Sequence, residues 1–309
     1  MGIEFDDDRV DVGGVDDRRG GGGIGLGGGG LAVGGGAGVV GLVIYLLVAV
    51  LGGGDGGSGS GLPQLGAGSA NSTGKQESRQ ELSDRCNSDG ALDEYTDCRL
   101  IKVYDIADST WEDEFSRRGL SSSYHAPQLA FFDDAASTGC GQASSDVGPF
   151  YCPADEEIYL DLDFLDQLQK EYGAEGEFAQ AYILAHEYGH HLQTLLGTEQ
   201  QVRQAQQSNP DQENEYSVAM ELQADCYAGA WSVLADQADS GIDLTKANIA
   251  EAQKAAQAVG DDRIQKKATG KVDQDSWTHG SAAQRKEWFT TGYSTGDIDQ
   301  CDTFGALGL

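Results

Sequence analysis

Glycine is concentrated at one end of this chain: 23 of its 45 glycines lie within the first 60 residues. A stretch so poor in side chains cannot bury enough apolar surface to offset the entropy of ordering it. A packed core must come from the rest. All six cysteines and all five histidines lie beyond residue 80, and residues 81–309 are long enough for a sizeable core. Residues 1–30 are therefore expected to form a disordered Gly/Asp-rich tail. Gly23, Gly25 and Gly28 fit the GxGxxG spacing. No strand pattern precedes them and no acid follows at the ribose distance, so no dinucleotide site is expected.

Residues 31–51 (LAVGGGAGVVGLVIYLLVAVL) carry no charge and would span about 30 Å as a helix. A cleaved signal peptide would have its apolar core nearer the start, so an uncleaved transmembrane helix is expected, with a cleaved signal peptide or a glycine-rich soluble loop as the alternatives. Arg18 and Arg19 precede it, and no Lys or Arg follows until Lys75. The positive-inside rule then puts the N-terminus in the cytoplasm and everything after Leu51 outside. Residues 52–80 read as a Gly/Ser linker, and residues 81–309 as the functional domain. With 20 basic and 51 acidic residues the net charge is −31, which excludes nucleic-acid phosphates as a partner.

Cys86, Cys98, Cys140, Cys152, Cys226 and Cys301 include no CxxC pair, which argues against a thiolate zinc site. On an extracytoplasmic domain they fit disulfides. Of the fifteen connectivities open to six cysteines, closure between neighbours favours Cys86–Cys98, Cys140–Cys152 and, by elimination, Cys226–Cys301. Free thiols in a cytosolic protein are the alternative.

The periodicity predicts a short helix over 105–119 and a half-buried strand from Ile158 to Phe164. Further helices are expected from Phe178 to about Leu196, ending at Gly197, and over 214–236, 246–259 and onward from a capping box at Ser281–Gln284. Strand first and helices after it suggests an α+β fold.

The chemistry concentrates in Ala185–His191 (AHEYGHH). On a helix, His186 and His190 share a face and can aim two imidazoles at one ion, while Glu187 reaches a water on that ion without ligating it. The plain alternative is two histidines of an amphipathic helix. His191 points elsewhere and reads as structural. An HExxHxxGxxH pattern would need Gly and His where this chain has Gln193 and Leu196. The third ligand must come from elsewhere. Glu221 and Asp225 lie one turn apart on the downstream helix, so that Glu221 can ligate zinc while Asp225 accepts the distal N–H of a ligand histidine. Glu213 and Glu215 compete for the role, but neither has an acid four residues on.

HExxH followed by ExxAD resembles the gluzincin metallopeptidases. The domain resembles most closely the bacterial neutral zinc metallopeptidase family. That family shows a Gly-Cys-Gly, Gly-Pro-Phe-Tyr-Cys-Pro and Ile-Tyr-Leu-Asp run, here Gly139–Gly141, Gly148–Pro153 and Ile158–Asp161. It then shows HEYGHH at His186–His191 and ELQADCYAG at Glu221–Gly229. A His-Gly-Ser-Ala run with Arg, Trp and Phe follows, here His279–Ala282, Arg285, Trp288 and Phe289. The match covers roughly residues 81–305. The resemblance implies a zincin-like fold, an N-terminal membrane anchor, and zinc held by His186, His190 and Glu221.

The expected activity is a membrane-anchored zinc endopeptidase acting on peptides or proteins. Glu187 serves as general base, and His279, just before a capped helix, is a candidate for stabilising the oxyanion. A structural role for His279 is the alternative. The strand at Ile158–Leu162 is a natural edge for an extended peptide to pair with, unless it is internal. The competing function is a non-catalytic zinc-binding envelope module that binds a protein partner. It would need a fourth protein ligand, and it has no use for Glu187.

Overall fold

The computed structural model describes residues 2–7, 9–20, 76–237 and 241–309. The charge-free segment 31–51, most of the 52–80 linker and the GxGxxG match lie outside the described residues. Among those described, no helix is long and apolar enough to cross a membrane.

The fold is α+β, with small sheets and many helices. Strands β1 (Glu4–Phe5) and β2 (Val15–Asp17) come first. Helices α1 (Arg79–Cys86), α2 (Ala91–Glu94) and α3 (Thr96–Arg117) follow. Next come β3 (Gln128–Phe131), the hairpin β4–β5 (Ala135–Thr138, Gly141–Ser144), β6 (Phe150–Cys152) and β7 (Glu157–Leu160). The rest is mostly helical. It comprises α4 (Leu162–Tyr172), α5 (Glu177–Leu195), α6 (Thr198–Ser208) and α7 (Glu213–Gln237). After β8 (Ile242–Asp243) come α8 (Lys246–Ala258), α9 (Asp261–Thr269), α10 (Ala282–Thr295) and α11 (Thr303–Leu307).

The main sheet has the order β2-β3-β7-β6, with β2, β3 and β7 parallel and β6 antiparallel to β7. Helix α5 packs against β6 and β7 and also against α3, α7 and α8, so it lies at the centre of the molecule. That position explains why Phe178, Leu184, Tyr188 and Leu192 are all inaccessible to solvent. At the far end of α5, Phe178 stacks on Trp231 of α7 with ring centroids 6.1 Å apart.

Two expectations are corrected here. The strand predicted from Ile158 to Phe164 stops at Leu160. The Asp161 side chain accepts the backbone N–H groups of Asp163 and Phe164 and so caps α4, which starts at Leu162. The strand also lies between β3 and β6, so both its edges are paired and neither can receive a peptide.

The larger correction concerns the first part of the tail expected to be disordered over 1–30, whose residues 21–30 lie outside the described residues. Residues 2–7 and 9–20 are part of the fold, which therefore takes in residues before 81. Ile3, Val10, Val12 and Val15 join the main hydrophobic core. Strand β2 pairs with β3 in the register Val15↔Leu129 to Asp17↔Phe131, and β1 pairs with β8. The acids and arginines that look like a solvated tail are internally matched. Arg19 is 2% exposed and bridges Asp17 and Asp97 at 2.8 Å each. Arg18 reaches Glu157 at 2.8 Å.

All six cysteines are paired as Cys86–Cys98, Cys140–Cys152 and Cys226–Cys301, the connectivity expected from closure between neighbours. The helix expected over 105–119 is the second half of a longer one, α3.

Candidate metal centre

Helix α5 carries His186, Glu187 and His190, and α7 carries Glu221 and Asp225. The two helices approach closely because Gly189 has no side chain. A Cβ there would lie 3.1 Å from both the Cα and the carbonyl oxygen of Ala224. The approach brings three donors together: His186 Nε2 is 3.1 Å from Glu221 Oε2, and His190 Nε2 is 3.5 Å from Glu221 Oε1. One ligand atom from each of the three residues lies within 4.8 Å of the others. Two donors bound to zinc at its usual bond lengths stand about 3.3 Å apart in a tetrahedral shell, so the separations fit one shared ion. The donor set, two imidazoles and a carboxylate, also suits zinc.

The surroundings favour positive charge at this point. His186 Nδ1 lies 2.9 Å from Asp225 Oδ1, which fixes the Nδ1–H tautomer and turns the Nε2 lone pair towards Glu221. Burial opposes a charge on His186, but Asp225 and Glu221 outweigh it and raise its pKa to about 9. Burial likewise opposes the Glu221 carboxylate, and His190, His279 and His186 outweigh it and hold its pKa well below the ordinary value. Glu187 sits among these groups, and burial pushes its pKa up. His186, Glu187, His190 and Glu221 expose 6% or less of their surface, so the donors are almost wholly shielded from solvent.

Arg285 on α10 closes the back of the site. Its Nε and Nη2 donate to Asp225 Oδ2 and Oδ1 at 2.7 and 2.9 Å, and Nη2 stands 3.8 Å from Glu221 Oε2. The Tyr182 hydroxyl donates a short hydrogen bond to the same carboxylate. Asp225 is thus a fully buried acid with three partners, and Arg285 foremost keeps its pKa low against burial.

The remaining candidates fall out as follows. Glu213 and Glu215 are exposed in the first turn of α7, away from the donors. His279 is buried, with Nδ1 3.2 Å from Asp261 Oδ1 and its backbone N–H bound to Asp261 Oδ2, in a loop held by the same acid. A Cβ on the next residue, Gly280, would lie 3.2 Å from Val218 and 3.3 Å from Leu222, which places this loop beside the stretch of α7 that carries Glu221. His191 points away, with Nε2 on the His125 carbonyl at 2.7 Å and Nδ1 accepting from the Tyr151 hydroxyl at 3.0 Å. Residue-type spacing did not reveal Arg285, Tyr182 and Gln193 as parts of the site. Tyr182 and Arg285 meet Asp225 on another helix, and Gln193, though one turn from His190, is held by Met220 and Gln223 of α7; only Arg285 stood out in the sequence, as part of the late motif.

The chain is 48% identical over 199 residues to "Uncharacterized protein YpfJ" of Escherichia coli (strain K12), covering 64% of this chain and 68% of that protein. It is 42% identical over 233 residues to "Uncharacterized protein Rv2575" of Mycobacterium tuberculosis, covering 73% of this chain and 76% of that protein. No solved structure matches. The family model described as "Putative neutral zinc metallopeptidase" matches residues 7–304, a span that takes in β2 as well as the metal centre. The chain belongs to this zinc metallopeptidase family.

Proposed function

We propose that the protein is a zinc endopeptidase with a zincin-like site in which His186, His190 and Glu221 hold the metal and Glu187 is the general base. The observation that carries this reading is the convergence of three buried donors from two helices, with the buried carboxylate of Glu187 beside them. What a bound zinc ion supplies is Lewis acidity, towards water and towards the scissile carbonyl. Glu187 accepts the proton of the attacking water and passes it to the leaving amine. Burial raises its pKa, which makes it a better base than an exposed glutamate. Asp225 keeps His186 in the ligating tautomer, and Arg285 keeps Asp225 ionised. His279 lies in the loop that packs on α7 beside Glu221 and is the candidate for the developing oxyanion. Among the described residues the donor group has three members and no fourth, which favours an open coordination position over the closed shell of a non-catalytic module.

The test is Glu187→Gln in the full chain, assayed on a peptide library with metal content measured in parallel. Cleavage should fall at least about 100-fold while zinc is retained. Cleavage at the wild-type rate would refute the assignment of the base.

A further inference from the structure

The two ligand histidines are supported in different ways. His186 leans on a carboxylate backed by an arginine, whereas His190 leans on a chain of carboxamides. His190 Nδ1 is 2.8 Å from Gln193 Oε1, and Gln193 is fully buried. The Gln193 amide donates to the Met220 carbonyl at 2.8 Å and to Gln223 Oε1 at 3.1 Å. The Gln223 amide donates to the Cys301 carbonyl at 3.1 Å.

The direction of this chain is set by its far ends. Main-chain carbonyls only accept, so the Met220 and Cys301 carbonyls require the amide nitrogens of Gln193 and Gln223 to face them. The oxygen of Gln193 is then left for His190, whose Nδ1 must carry the proton. The lone pair of His190 is therefore on Nε2, facing Glu221. Cys301 is cross-linked to Cys226, the residue after Asp225, so one disulfide borders the supports of both histidines.

Given the zinc reading above, we infer that Gln193 is a positioning residue that fixes the tautomer of His190, and that Gln223 and the Cys226–Cys301 cross-link hold it in place. The acceptor oxygen at position 193 is what serves the metal, and the amide nitrogen serves the fold. The two functions separate in two variants of the full chain, read by zinc affinity in chelator competition and by melting temperature. Gln193→Met removes the acceptor, and zinc affinity should fall about 10- to 100-fold. Gln193→Glu keeps an acceptor while setting a carboxylate against the Met220 carbonyl and Gln223 Oε1. It should melt lower yet bind zinc within about threefold of wild type. Gln223→Met, one link further out, should lose less affinity than Gln193→Met, and it serves if the latter does not fold. Wild-type affinity in Gln193→Met, or equal losses in the Met and Glu variants at 193, would overturn the inference. Failure of the wild-type protein itself to take up zinc would overturn the zinc reading beneath it.

An independent observation concerns the N-terminal segment. Residues 2–20 are bound into the same body as the metal centre at several points. Beyond β2 and Arg19, the Val10 backbone exchanges two hydrogen bonds with the Asn87 side chain (3.0 and 3.1 Å). Lys102 Nζ donates to the Arg9 carbonyl at 2.9 Å, and the Ile3 N–H donates to Glu177 in the first turn of α5 at 2.9 Å. Arg19 and Asp97 meet beside the Cys86–Cys98 disulfide. Separating the segment would break the buried Arg19–Asp97 pair and leave Asp97 with Arg85 and Arg19 with Asp17.

We infer that residues 2–20 and the metal centre occupy one compartment. A single crossing between them, with the N-terminus in the cytoplasm and the peptidase outside, is incompatible with this docking. Glu4→Cys and Lys271→Cys, both at exposed positions, test it by labelling with a membrane-impermeant maleimide in spheroplasts. Both should label before lysis, or both only after it. One labelling before lysis and the other only after would overturn the inference.

Discussion

Asp225 shows how much the site depends on single side chains. It is a buried anion whose two oxygens are divided among His186, Tyr182 and Arg285. Arg285→Met would leave that anion without its cation. A broken buried pair typically costs about 3–5 kcal/mol, and denaturant unfolding of this variant should report a loss of that order. Arg285→Lys should recover only part of it, because a lysine cannot make the two-pronged contact. Asp225→Asn should instead act on the metal, with zinc affinity lower by about 10- to 100-fold in a chelator competition. His186, Glu187 and His190 were legible in the sequence because helical spacing alone puts them together, and the ExxAD spacing extended that to Glu221 and Asp225. The roles of Arg285 and Gln193 were not legible. Arg285 meets Asp225 across 60 residues, and Gln193 stands out only after the surrounding carbonyls are located.

Helix α7 joins the two sides of the site, since it presents Glu221 to α5 and Asp225 to α10. Its fit against α10 depends on two glycines. A Cβ on Gly229 would collide with the Phe289 carbonyl, and one on Gly292 with the Cys226 carbonyl. Gly292→Ala should therefore destabilise the protein by at least the roughly 1–3 kcal/mol of an overpacked core, measured by thermal unfolding. It should also weaken zinc binding, because it moves Arg285 relative to Asp225. The long helices were legible from their period and caps: α5 spans Glu177–Leu195 and α8 starts after the Thr245 cap. The strands were less so. Ile158, Leu160, Leu162 and Phe164 keep alternating after the strand has ended, and only the cap at Asp161 marks the change.

At the scale of the whole molecule, the N-terminal segment closes the fold from 76 onwards. It could not be seen in the sequence, because strands of two and three residues carry no periodic signal and the contacts that dock it, such as Arg18 to Glu157 and Arg19 to Asp97, are with distant residues. One of those contacts gives the docking a pH dependence. Asp105 accepts the Asp11 N–H at 2.8 Å, and burial foremost, opposed by that hydrogen bond and by Lys102 and joined by the charges of Asp11 and Asp108, raises its pKa to about 7. An acid whose pKa is raised on folding gives stability below its unfolded value near 3.8 and loses it as the pH rises towards 7. Asp105→Asn should therefore melt above wild type at pH 8, and the gap should close as the pH falls to 4. A constant gap across that range would show that the carboxyl does not titrate there. The most direct measurement of all is an anomalous-diffraction map of zinc-loaded crystals. One strong peak is expected at zinc bonding distance from His186 Nε2, His190 Nε2 and a Glu221 oxygen, with no fourth protein ligand. No peak there after loading, or a shell closed by another side chain, would contradict this zinc site.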